Sequence, residues 1–126
     1  MSENKSHLQL KYKFWIESND QVSILGEGKW ILLKAIRDTG SLKAAVDKMG
    51  YAYRQTWDNL KKIEEKLGFP LIEKSRGGAA GGQTVLTRKG VQMVEYFERL
   101  YNQVDPVIQQ HLSGLQDELN KIIQQE

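Results

Sequence analysis

The 126-residue chain contains no cysteine. Disulfides and thiolate metal sites are thereby excluded, and a reducing, cytoplasmic setting is expected. Histidine is scarce too: only His7 and His111 occur, far apart in the chain. Both read as surface residues, and no metal centre is expected. No apolar run approaches the roughly 20 residues that a membrane helix requires, and no apolar signal-peptide core follows Met1. A membrane partner and a secretory leader are therefore not expected. Neither G-x-x-x-x-G-K-[ST] nor G-x-G-x-x-G occurs, and no nucleophile–histidine pair has supporting context. The chain is not expected to be an enzyme or to need a cofactor.

What remains is a chain of one-domain size, with 40% hydrophobic residues and enough of them for a modest core. Its net charge of +2 is unevenly spread. Residues 29 to 90 carry thirteen Lys/Arg against six Asp/Glu, a balance of +7, and the two flanks together carry −5. A basic centre between acidic ends suits a polyanion, although an ordinary solvated face has the same composition.

Along the chain, Leu8, Leu10, Tyr12, Phe14 and Ile16 alternate with Gln9, Lys11, Lys13 and Trp15, a period of two that predicts a half-buried strand. Asn19-Asp20 turns the chain, and residues 21 to 25 return as a second strand. A helix opens at Gly26-Glu27-Gly28, turns Leu32, Leu33, Ala35 and Ile36 inward, and stops at Thr39-Gly40. Ser41 then caps a short helix with Leu42, Ala45, Val46 and Met49 on one face, ended by Gly50. A third helix over residues 52 to 67 carries Trp57, Leu60, Ile63 and Leu67 as its apolar stripe, with Trp57 read as core. Gly68, Phe69 and Pro70 stop it.

A short helix, a glycine-bearing turn and a longer helix make a helix-turn-helix over residues 41 to 67. Residues 71 to 86 then form a hairpin, the wing. Its run EKSRGGAAGGQTVLT is costly to order unless it approaches something closely. Gly77 and Gly78 at the tip, with Lys74 and Arg76 on the strands, suit a nucleic-acid backbone; the plainer reading is a surface hairpin without a ligand.

The third helix turns Arg54, Gln55, Asp58, Lys61, Lys62 and Glu65 away from its stripe. Arginine can be bidentate to guanine and glutamine to adenine, so Arg54 and Gln55 are candidate base readers. Lys61 and Lys62 are placed for phosphates. Arg54, Asp58 and Lys62 also fit a ladder of i, i+4 ion pairs, worth about 0.3–0.5 kcal/mol each. Tyr53 stands at the edge of the stripe, either packing its ring or offering its hydroxyl to a phosphate. Ser41 and Lys43 begin the second helix, whose free amides favour a phosphate; capping explains Ser41 equally well.

The stretch from Gly40 to Gly90 resembles the winged helix-turn-helix of LysR-type regulators. It resembles more closely still the DNA-binding domain of ModE-type molybdate-responsive regulators. The YR…W of the third helix, the LG-PL junction, the paired glycines of the wing and the LT…G entering the next helix carry the likeness. With GEGKWILLKAI it extends to about residue 100. The resemblance implies that Tyr53, Arg54 and Gln55 lie on the DNA-reading turn, that Lys74, Arg76 and Gly77–Gly82 form the wing, and that the protein is a dimer. Two features depart from the family. Ala52 stands where serine is usual, removing a helix cap. ModE-type regulators also usually continue into molybdate-binding domains, for which these 126 residues leave no room, so no molybdate site is expected in this chain.

Thr87 caps a long last helix. Its apolar residues Val94, Phe97, Tyr101, Val104 and Ile108 recur at threes and fours, and Asp105-Pro106 is expected to interrupt or restart it. Leu112, Leu115, Leu119 and Ile122 continue the spacing as a coiled-coil-like seam. The seam needs a partner, either the chain's own domain or a second copy. The second copy is the expectation, with Phe97, Tyr101, Val104, Ile108, Leu112, Leu115, Leu119 and Ile122 across the interface. The fold class expected is mainly α with small β: residues 1–90 as the winged helix-turn-helix, with a strand pair over 8–25, and 91–126 as the dimerisation segment. The expected function is a sequence-specific transcriptional regulator that binds double-stranded DNA at a palindromic operator. The alternatives are a winged-helix module for protein contacts and a non-specific DNA-binding protein.

Overall fold

The computed structural model describes residues 7–75 and 83–126. The expected wing-tip contacts Arg76, Gly77 and Gly78, and the rest of the tip to Gly82, lie outside the described residues. Backbone contacts divide the chain into two compact units: Phe14–Glu98, and Arg99–Glu126 with the N-terminal segment ending at Lys13.

The first unit begins with an antiparallel pair, β1 (Trp15–Glu17) and β2 (Ser23–Gly26), in which Ile16 faces Leu25 and a bulge follows Ile16. Ser18 closes the turn between them: its N–H donates to Val22 O at 2.9 Å, and its hydroxyl accepts from Val22 N at 3.1 Å. Helix α1 (Glu27–Thr39) buries Leu32, Leu33, Ala35 and Ile36. Helix α2 (Leu42–Met49) starts at Ser41, whose Oγ accepts from Ala44 N at 3.0 Å. It ends at Gly50, where φ is 72°, a left-handed conformation that glycine adopts without a Cβ penalty. Helix α3 (Tyr53–Leu67) is separated from the end of α2 by three residues and stops at Gly68 in the same conformation. Its Ala52 cap makes no side-chain hydrogen bond, and Thr56 Oγ1 donates to Ala52 O at 2.8 Å. The wing is β3 (Ile72–Lys74) paired antiparallel with β4 (Thr84–Leu86), Ile72 facing Leu86 and Lys74 facing Thr84.

Helix α4 (Arg88–Gln124) is started by Thr87, whose Oγ1 accepts from Gly90 N at 2.9 Å. Within the first unit it adds Val94 and Phe97 to a core that includes Leu25, Leu33, Ile36, Leu42, Leu60 and Ile72. Phe97 is 1% exposed, with ring centroids 5.6 Å from Phe14 and 5.4 Å from Trp30. The winged helix-turn-helix architecture, mainly α with small β, is thus as expected.

Three expectations need correction. The strand expected over residues 8 to 16 is laddered only from Trp15 to Glu17. In the second unit the segment before it satisfies its backbone otherwise: Leu10 N donates to Gln116 Oε1 at 2.7 Å, and Gln116 Nε2 donates to Leu8 O at 2.8 Å. A side-chain amide takes the place of a neighbouring strand. Pro106 neither interrupts nor restarts α4, which runs through it. Proline's φ of about −65° is already helical, so the cost is confined to one lost hydrogen bond and local crowding. Asp105 beside it accepts hydrogen bonds from the Tyr12 hydroxyl and from Gln109 Nε2. Phe97, expected on the dimer seam, is spent in the core of its own chain.

Candidate nucleic-acid interface

Helix α3 turns Thr56, Leu60, Ile63 and Glu64 inward. At 100° per residue, that fixes Arg54, Asp58, Lys62 and Glu65 on the solvent side. The Arg54 side chain is 89% exposed, and its Nε lies 3.7 Å from Asp58 Oδ1, beyond hydrogen-bond range. A loose exposed pair of this kind leaves the guanidinium available. Gln55 and Lys62 are exposed as well.

Lys61 is held more firmly. Its Nζ is 3.0 Å from Glu64 Oε1 and 4.5 Å from the centroid of the Trp57 ring. Trp57, read as core from the sequence, is half-buried. It stands at the edge of the apolar stripe, in a row with Tyr53 stacked on it at 6.5 Å and Lys61 beyond. Tyr53 is 38% exposed.

At the start of α2, Ser41 is buried and its hydroxyl caps the helix. Lys43 is exposed and paired with Asp47 at 2.9 Å. Lys74 is exposed at the end of β3. The base of the wing is tied to both neighbouring helices. Glu64 Oε2 accepts from Leu71 N at 2.6 Å and Ile72 N at 3.0 Å. On the other side, Thr87 N donates to Leu71 O at 2.9 Å and Thr87 Oγ1 to Pro70 O at 2.8 Å.

The sequence reading missed Glu64, whose signal was a carboxylate one turn after Leu60 and next to Ile63, on the apolar side. It also missed a groove of about 800 Å³ along one flank of α3, lined there by Gln55, Asn59 and Lys62 and opposite by Ser23, Gly28 and Lys29.

Comparison with known proteins fits this geometry. Residues 29–91, from the first turn of α1 to the start of α4, match the family described as "Bacterial regulatory helix-turn-helix protein, lysR family". The chain belongs to that family. Its LysR-type unit is also similar to the "Molybdenum-pterin-binding protein MopB" of Rhodobacter capsulatus, 31% identical over 96 residues, 76% of this chain and 34% of the relative. The "DNA-binding transcriptional dual regulator ModE" of Escherichia coli is 32% identical over 69 residues, 55% of this chain and 26% of that protein. The "Molybdenum transport protein ModE" of Azotobacter vinelandii is 28% identical over 103 residues, 82% and 37% of the two chains. The chain thus spans about a third of the length of these relatives or less. Among the described residues, no helix is long and apolar enough to cross a membrane, and no group of three His, Cys, Asp or Glu is placed to hold a metal.

Proposed function

We propose that this chain is a transcriptional regulator that reads double-stranded DNA with α3 in the major groove, as a homodimer on a two-fold symmetric operator. One observation carries the reading: the first turn of α3 in a LysR-type helix-turn-helix presents Arg54 and Gln55 to solvent, with no firm partner on Arg54. In a helix-turn-helix this turn meets the base edges. Arg54 suits guanine and Gln55 adenine; Tyr53, Lys62 and the wing's Lys74 suit backbone contacts. Lys61, tied to Glu64, and Lys43, tied to Asp47, would exchange those partners for a phosphate. Ser41 contributes through the fixed amide end of α2 rather than its hydroxyl. Residues 1–90 act as the DNA-binding part and 91–126 as the dimerisation part, without Phe97. Support for a second copy comes from α4 beyond Phe97: it has no fully buried residue, with Leu115 49% and Ile122 62% exposed. The name of the Escherichia coli relative supports the regulatory reading. No molybdate site is proposed in this chain.

The test is footprinting on genomic fragments, followed by titration of the operator found and of random duplex. Arg54→Ala should cost roughly 1–3 kcal/mol on the operator and relax preference at one base. Equal losses on operator and random DNA would reduce Arg54 to a phosphate contact. Wild-type protein that binds all duplexes alike would make this a non-specific DNA binder. Binding to no duplex, at any salt concentration, would leave only a protein-contact module.

A further inference from the structure

The groove beside α3 adjoins the row that reads bases and shares Gln55 with it. One wall is the flank of α3, where Gln55, Asn59 and Lys62 follow one another at four- and three-residue steps; the other is the β2–α1 corner, with Ser23, Gly28 and Lys29. Two lysines face this space and no carboxylate lines it. Neither lysine is in an ion pair among the described residues, whereas Lys43, Lys61 and Lys66 each have a carboxylate within 3.0 Å. Gly28 adds a second peculiarity. It lies in the first turn of α1, and a Cβ built there meets nothing within 4 Å. Packing within the chain therefore does not require a glycine at 28, and its absent side chain leaves the groove open.

We propose that this groove takes one phosphodiester strand of the operator, held between Lys29 and Lys62, with the Asn59 amide as a donor to a phosphate oxygen. The inference rests on the DNA-binding reading above and adds Lys29, Asn59 and the vacancy at Gly28 to it. The dimensions agree. The seven steps along α3 from Gln55 to Lys62 rise about 10 Å, the axial rise of about three nucleotides of one strand. When α3 lies in the major groove, a backbone must pass along its flank, and among the described residues this flank has an open channel with two lysines and no carboxylate. Phosphate contacts position a protein on the duplex without reading sequence. The groove thus sets the register in which Arg54 meets its base.

Two variants of the full chain test this, each first checked for a wild-type circular dichroism spectrum and melting curve. Lys29→Gln keeps the half-buried stem and removes the charge. It should lower the slope of log affinity against log salt by about one, so that affinity falls about 3.5-fold less between 50 and 200 mM, and leave base preference unchanged. Gly28→Leu puts a better helix former into the channel and should weaken operator binding at least tenfold without lowering the melting temperature. An unaltered salt slope in Lys29→Gln, or wild-type affinity in Gly28→Leu, would overturn the groove. Arg54→Ala in parallel keeps the two readings apart: lost base preference there, with a normal Lys29→Gln, leaves the regulator reading intact and removes only the groove. Calorimetry with inorganic phosphate on DNA-free protein covers the remaining source of the anion. No saturable binding is expected, and millimolar binding abolished by Lys29→Gln would assign the groove to a free anion instead.

Discussion

From Arg88 to Glu98, α4 buries Gly90, Val94 and Phe97; from Arg99 to Gln124 it has no fully buried residue, although Tyr101, Val104, Ile108, Leu112, Leu115, Leu119 and Ile122 keep the same steps of three and four. The two stretches belong to one helix and share one pattern. What differs is what faces them: the first meets Phe14, Trp30 and the wing base, and in the second unit Gln116 holds the short extended segment at Leu8 and Leu10. Periodicity therefore marks which face of a helix wants covering, without naming the cover.

The comparison is sharpened most by removing its best-packed ring. Phe97→Ala should cost about 3–5 kcal/mol in denaturant unfolding, because ring contacts vanish and a cavity opens. Leu119→Ala at low protein concentration should cost far less, and equal costs would erase the distinction between the stretches.

Next come the two glycines of α4. A Cβ at Gly90 would sit 2.4 Å from Leu71 O, a backbone atom tied down by Thr87 N. Overpacking of this kind costs about 1–3 kcal/mol, against a helix-propensity gain of about 1 kcal/mol. Gly90→Ala should therefore lower the unfolding midpoint. At Gly114 an added Cβ meets nothing within 4 Å. Gly114→Ala should raise stability by up to about 1 kcal/mol, so the same substitution has opposite signs in the two stretches.

Leu115→Lys with Leu119→Lys should leave unfolding of the winged unit within about 0.5 kcal/mol of wild type. The mass by light scattering should nevertheless fall from about twice 14.5 kDa to that of one chain. A wild-type monomer at micromolar concentration would remove the second copy as the cover.

The smallest effect lies on the surface of the winged unit, in the turn between β1 and β2. A hydrogen bond from Lys66, 2.5 Å away, followed by one from Ser18, lowers the Asp20 carboxyl to about 2. Its contribution to stability is present above the ordinary carboxylate range and is lost as pH falls from about 4 towards 2. The same pair raises Lys66, whose share is present below the ordinary lysine value and fades only as pH rises through the raised one. Because both groups are exposed, Asp20→Asn should shift the difference between melting temperatures at pH 6 and pH 3 only slightly. A shift as large as that of Gly90→Ala would show that surface pairing rivals burial here.

Local chemistry made much of this fold legible. Ser41 as a cap and Gly40, Gly50 and Gly68 as stops bracket α1, α2 and α3 where the sequence places them. The stripe Leu42, Ala45 and Val46 is buried as its spacing requires. Misreadings arose where a long-range partner decided the outcome. Residues 8 to 14 alternate like a strand, but Gln116, more than a hundred positions away, supplies the hydrogen bonds. Glu64 is a charged residue by type and an inward one by position, because two amides of the wing base await it. The solvent-facing row of Arg54, Gln55 and Lys62 follows from helical spacing alone. The groove beside it does not, since Lys29 and Lys62 stand on different elements.

The ties at the wing base place a boundary in the exchange of amide hydrogens with solvent. Leu71 and Ile72 donate to a buried carboxylate, and Gly90 donates to Thr87 Oγ1 at the start of α4, so none of these three amides is freed by separating β3 from β4. They exchange when the three-way junction of α3, wing and α4 opens as a whole. Ser75, whose N–H reaches only Gln83 O across the hairpin, exchanges whenever the outer ladder parts. Within the wing, fast and slow deuterium uptake therefore meet between Ile72 and Ser75.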